Sequence, residues 1–150
     1  MFVDACAIVS MMAGEDTADS YEAALLEAPS PLTSTLAAWE AIIVLSRPDQ
    51  LNCPYSAAEA VVVEWLEARR IALREPGSPL RVLSYAVAVA EKQGIGKRYL
   101  SNFDCFHYAY AKTMRAPLLT LDGLLCETDV KTLPQRRFPR KKSRSRNAPP

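Results

Sequence analysis

Four carboxylates sit far apart in this chain but in matching local settings. Asp4 ends the apolar run Met1-Phe2-Val3, and Asp122 ends the apolar run Pro117-Leu118-Leu119-Thr120-Leu121. Glu40 lies about one turn into the helical stretch that follows Pro31-Leu32-Thr33-Ser34, and Asp104 opens the helical segment Phe103-Asp104-Cys105-Phe106-His107. Two therefore stand at the carboxyl ends of strand-like segments and two near helix starts. In an open α/β sheet these places converge on one crevice. Carboxylates gathered there repel one another unless a cation offsets them, so the pattern predicts a divalent metal site.

The elements that must position these acids read as strands alternating with helices. Short apolar strands are expected at Met1–Val3, Leu32–Ser34, Ile71–Leu73 and Leu118–Leu121, with a fifth beginning near Val130. Helices are expected from Ala5, from Asp16 or Thr17 to about Ala28, from Ser34 or Thr35 to about Ser46, and from Pro54 to about Arg69. Two more are expected from Leu80 to Gln93 and from Phe103 to Met114. Ser56 with Glu59 three residues on matches a capping box. The alternation predicts an α/β fold, three layers α/β/α, around a mostly parallel sheet.

The 150 residues fit one domain, and the apolar half of them suffices for its core. No apolar run approaches the roughly 20 residues that span a bilayer, and no basic flank precedes an apolar leader, so a cytoplasmic protein is expected. Cys6, Cys53, Cys105 and Cys126 form no CxxC pair, and one histidine cannot complete a zinc set with them, so reduced thiols are expected. The net charge of +1 conceals a split. All 17 acids lie in residues 1–130 against 10 Lys and Arg, giving −7, while residues 131–150 carry the other 8 cations. This predicts an acidic domain over 1–130 and a disordered basic tail over 131–150.

Within that frame the chain resembles the PIN-domain ribonucleases, most closely the VapC toxins of prokaryotic toxin–antitoxin pairs. The resemblance rests on Phe2-Val3-Asp4-Ala5-Cys6-Ala7, Glu40 in Ala38-Trp39-Glu40-Ala41, and Asn102-Phe103-Asp104-Cys105-Phe106. Ala109-Tyr110-Ala111-Lys112, the strand from Pro117 to Asp122 and Thr128-Asp129-Val130 continue it. It implies a metal-dependent endoribonuclease in which Asp4, Glu40 and Asp104 hold Mg²⁺ or Mn²⁺. Asp122 best matches the fourth acid, with Asp129 as competitor. It also implies RNA, tRNA or rRNA, as substrate, a cognate VapB-type antitoxin that places Arg or Lys among the carboxylates, and a homodimer. Two departures stand out. Cys6 occupies a position where relatives often carry a hydroxyl, and relatives usually have a glycine before the acid that Asp104 matches.

The chemistry is that of a hard cation bound by oxygens, with one carboxylate free to orient or deprotonate an attacking water. RNA must be drawn over an acidic crevice, and Lys97, Arg98, Lys112 and Arg115 flank the Asp104 segment. Each acid also has a plainer reading: a turn at Asp4 and Asp122, an exposed helix residue at Glu40, an N-cap at Asp104. His107, one turn beyond Asp104, reads as packing or surface rather than as a catalytic group, and Trp39, Tyr108 and Tyr110 read as packing. The basic tail suits non-specific RNA contact or docking on the acidic domain. The rival functions are a catalytically impaired PIN-like module that binds RNA or antitoxin, and a metal-dependent enzyme acting on DNA or a small phosphate ester.

Overall fold

The structure, a computed structural model, describes residues 1–135. Residues 136–150, which hold most of the expected basic tail, lie outside the described residues. Along the chain run β1 (Phe2–Val3), α1 (Ala5–Ala13), α2 (Ala18–Leu26), β2 (Leu32–Thr33), α3 (Thr35–Leu45) and α4 (Tyr55–Ala68). Then follow β3 (Ala72–Leu73), α5 (Pro79–Gln93), α6 (Asn102–Met114), β4 (Leu118–Leu119), α7 (Gly123–Cys126) and β5 (Thr132–Leu133).

The five strands form one sheet in the order β3-β2-β1-β4-β5, and every pair is parallel. β1 pairs with β2 on one side and β4 on the other, so the direction of winding reverses between β1 and β4. β5 pairs with β4 through Leu118↔Thr132 and Leu119↔Leu133, so the sheet extends past residue 130.

Each strand is only two residues long, and its alternation divides the core. Val3 and Leu119 pack with α1, α2, α3 and α4 residues such as Ile8, Leu25, Leu45 and Val62. Phe2 and Leu118 point the other way, into Val82, Val89, Leu100 and Tyr108 of the α5–α6 layer. Adjacent side chains of one strand must face opposite sides of a sheet, so each apolar pair serves both layers at once. This is the expected three-layer α/β/α fold.

Local chemistry sets the helix starts. Ser34 caps α3 by accepting from Ala37 N–H at 3.1 Å. The expected capping box at Ser56 and Glu59 does not form: α4 begins two residues earlier than a Ser56 cap requires, after Pro54, and Ser56 lies inside it. Pro54 sits at φ −59° and ends the preceding loop without needing a side-chain cap. The capping box is instead at α6, where Ser101 Oγ accepts from Asp104 N–H at 3.0 Å and Asp104 Oδ2 accepts from Ser101 N–H at 2.7 Å. Asp104 is therefore the third residue of α6 and not its cap. The short helix α7 stands where the sequence reads as a turn, and Asp122 caps it.

Candidate metal centre

β1 and β4 end side by side, and the next residues meet at the carboxyl edge of the sheet, where open α/β sheets have their crevice. Asp4 follows β1 and is buried, as are Thr120 after β4 and His107 on α6. Thr120 Oγ1 donates to Asp4 Oδ2 at 2.7 Å, and Cys6 Sγ donates to the same oxygen at 3.0 Å. The other oxygen, Oδ1, lies 2.6 Å from His107 Nδ1. On the far side of that ring, Nε2 is 3.4 Å from Glu40 Oε2, which α3 brings in. Asp4, His107 and Glu40 thus form a carboxyl–imidazole–carboxyl chain, and their ligand-capable atoms all lie within 4.8 Å of one another.

The His107 contacts are close but poorly aligned: neither buried ring nitrogen has a hydrogen bond of good geometry. A buried polar atom without an aligned partner is costly. It is the sign expected where a ligand completes the set.

Asp104 and Asp122 lie beside this chain rather than in it. Asp104 spends Oδ2 on the Ser101 amide. Asp122 spends Oδ1 on the amides of Leu124 at 2.8 Å and Leu125 at 3.0 Å, and its own N–H donates to Thr120 Oγ1 at 3.1 Å. Among the described residues each keeps its second oxygen clear of hydrogen bonds. The charges of Asp4 and Asp122 both reach Asp104. Asp129, the competitor for the fourth place, is occupied elsewhere: it accepts from Tyr108 Oη at 2.7 Å and from Lys112 Nζ at 3.0 Å.

Electrostatics make the acids unequal. Burial pushes the Glu40 carboxyl up to about 7, with the charges of Asp4 and Asp104 adding to it and His107 opposing. Asp104 is also raised, by burial first, then by Asp4 and Asp122, against the bonds from Ser101. For Asp4 burial acts in the same direction, but His107 and the bonds from Cys6 and Thr120 outweigh it and hold the carboxyl below its ordinary range. His107 is the mirror case: burial disfavours its cation, while Asp4, Glu40 and Asp104 together raise its pKa.

The departure at Cys6 is chemically mild. The thiol keeps the bond to Asp4 that a hydroxyl would make, and burial and the Asp4 charge hold it protonated. Tyr21 supports the same corner, accepting from Leu121 N–H at 2.8 Å and lying 3.5 Å from Cys6 Sγ.

The sequence places His107 one turn beyond Asp104, where it reads as packing or surface; its contacts with Asp4 and Glu40 come from remote segments and carry no local signal. The cations divide. Lys97 and Arg98 are exposed in the loop before α6. Lys112 and Arg115 sit at its far end, roughly 12–16 Å from Asp104 at 1.5 Å per residue, and cannot neutralise the crevice directly. Trp39 is partly exposed and packs edge-on against Tyr55, with ring centroids 5.6 Å apart. Tyr110 packs against Phe2.

A family model described as PIN domain matches residues 1–131. Among solved structures, that of VapBC-1 from nontypeable Haemophilus influenzae is similar to this chain with a TM-score of 0.64. The match has 15% sequence identity and covers 87% of this chain and 94% of that one, a likeness of fold. No curated protein matches the chain.

Proposed function

The chain belongs to the PIN domain family, and from that premise we propose that it is a Mg²⁺- or Mn²⁺-dependent endoribonuclease of the VapC toxin type. The observation that carries this reading is the pairing of Asp4 and Glu40 across a buried imidazole where the sheet changes its direction of winding. That is where open α/β sheets bind ligands.

The residues fit a divalent cation. Asp4, Glu40, Asp104 and Asp122 supply hard oxygens, and the nitrogens of His107 lack aligned partners. With imidazole in the group, the donor set favours Mn²⁺ over Mg²⁺. When bound, the cation would supply Lewis acidity toward water and a counter-charge for the phosphate. Glu40, on the far side of His107 from Asp4, is the carboxylate that could orient or deprotonate an attacking water. Thr120 and Cys6 hold Asp4 in place, and the capping box holds Asp104. Lys97 and Arg98 would draw the RNA backbone across the mouth of the crevice.

The partners follow from the same reading: an RNA substrate, a second copy of the chain, and a VapB-type antitoxin that inserts a basic side chain among the acids. The fold's likeness to the VapBC-1 structure supports the antitoxin partner. No helix among the described residues is long and apolar enough to cross a membrane, and we assign the protein to the cytoplasm.

The test is cleavage of mixed RNA by the full chain. Cleavage with Mn²⁺, none with EDTA and none by Asp104→Asn is expected. A parent protein that leaves RNA intact at saturating Mn²⁺ and Mg²⁺ ends the enzymatic reading. One observation favours the rival of a binding module without turnover: both oxygens of Asp4 are already engaged, by Thr120, Cys6 and His107. Calorimetric RNA binding without cleavage at any metal concentration would decide for it.

A further inference from the structure

The opposite edge of the sheet carries a cavity of inverse chemistry. It measures ≈ 450 Å³ and opens where the end of α6 meets the first half of α5 and the chain enters β4 and β5. Arg81, Lys112, Arg115 and Lys131 line it, together with Tyr85 and Asp129.

The cations surround the half-buried ring of Tyr85. The Arg81 guanidinium lies 5.9 Å from the ring centroid and 3.5 Å from Tyr85 Oη, and Lys112 Nζ lies 6.0 Å from the centroid. The bond and charge of Arg81, with Lys112 and Arg115, pull the Tyr85 phenol below its ordinary value. Asp129, the sole acid on the lining, pairs with Lys112. Arg81, Arg115 and Lys131 form no ion pair among the described residues. Arg115 also sits in the left-handed region at φ 52°, where a helix end usually carries glycine. Three uncompensated cations around one cavity repel one another, and an anion relieves them.

We propose that this cavity is a second nucleic-acid site: it takes backbone phosphates of single-stranded RNA on Arg81, Arg115 and Lys131, with a base against Tyr85. The proposal rests on the ribonuclease reading only for the identity of the polyanion. An aromatic face framed by cations is the surface on which unpaired bases stack while their phosphates are held. An acidic peptide would satisfy the cations but make no use of the ring. Because the cavity and the crevice lie at opposite ends of α6, one RNA engaging both must be several nucleotides long.

The experiment is fluorescence anisotropy of a labelled oligouridine with the full chain in EDTA, so that no cleavage occurs. The combined variant Arg81→Ala, Arg115→Gly, Lys131→Ala is compared with the parent across a salt series. All three residues are exposed, glycine keeps the backbone of position 115, and circular dichroism reports the fold. Binding is expected to weaken at least about tenfold at low salt. The slope of log K against log salt is expected to become shallower by about 2, near 0.7 for each phosphate no longer neutralised. Tyr85→Leu is expected to weaken binding about fivefold or more while keeping the salt slope, as loss of one stacked base would. Unchanged affinity and slope in the combined variant overturn the proposal. So does an oligoglutamate peptide that displaces the RNA and loses its own affinity in the same variant, which would make the cavity a dock for an acidic protein segment. A parent that binds RNA through these residues but never cuts it with Mn²⁺ would end the nuclease reading and leave this one standing.

Discussion

His107 Nδ1 lies 2.6 Å from Asp4 Oδ1, and the two side chains are 0% and 4% exposed. A carboxylate so far from water needs a counter-charge, and the imidazole supplies it to Asp4 and Glu40 together. His107→Ala should therefore destabilise the metal-free protein by about 3–5 kcal/mol, the range for removing one partner of a buried pair. Urea unfolding in EDTA measures this, and added Mn²⁺ should restore part of the loss. A variant as stable as the parent in EDTA would show that the imidazole is not the counter-charge.

Stability of the metal-free protein should fall as pH rises from mildly acidic to neutral. Glu40 has its pKa raised from 4.5 to about 7, so between those values the folded state binds more protons than the unfolded one. His107 acts in the same sense: its contribution is complete below its unfolded value of 6.5 and is lost as pH rises through its higher folded value. Asp4 has the opposite sign; its contribution is present above 3.8 and is lost as pH falls through its lower folded value. Thermal melts in EDTA should show a maximum between these limits. Glu40→Gln should flatten the decline between pH 4.5 and 7. An unaltered profile in that variant would remove Glu40 from the account.

Thr120→Val keeps the side-chain volume but removes one hydroxyl that donates to Asp4 Oδ2 and accepts from Asp122 N–H. The expected cost is about 1–3 kcal/mol, because buried polar groups lose their partners. Mn²⁺ affinity should fall with it, since Asp4 and Asp122 are then less well fixed. Calorimetry reads the second effect, and unchanged affinity would confine Thr120 to a structural role.

Asp122→Asn separates charge from capping. Asparagine caps helices as well as aspartate, so α7 should keep its start and the melting temperature should hold. RNA cleavage should drop by about tenfold or more, as for loss of a positioned charge. Cleavage at the parental rate would leave Asp122 as a cap only.

The donor set also bears on metal choice. At equal concentration Mn²⁺ should bind more tightly than Mg²⁺, and His107→Asn should narrow that gap, because an imidazole nitrogen suits Mn²⁺ better than Mg²⁺. Titration calorimetry with both ions checks it; equal preference before and after the substitution would remove the imidazole from the metal's surroundings.

What can be read from sequence depends on distance along the chain. Asp4 and Asp122 are legible because each ends a local apolar run, and the α/β class follows from alternating elements. His107 is not, since its meaning comes from Asp4 and Glu40, which the fold carries to it from remote segments. Ser56 and Glu59 have the right spacing for a capping box, yet Pro54 starts α4 two residues too early for it. Ser101 and Asp104 have an equally good spacing, and there the helix does start in register: Ser101 is the cap and Asp104, which read as a possible cap itself, is the third helical residue. Lys112 and Arg115 look close to Asp104 by number, but the helix between them puts them at opposite ends of α6.

The two-residue strands have a consequence for how this chain can vary. Phe2 and Val3 fill opposite layers, and Asp4 reaches the crevice only because it comes next. A single residue inserted between Val3 and Asp4 would either move Phe2 and Val3 to each other's faces or turn the carboxylate away from His107. Substitutions at these positions can be graded, but a change of count cannot. The segment from Phe2 to Asp4 is thus under a constraint of phase, in which spacing matters as much as residue type.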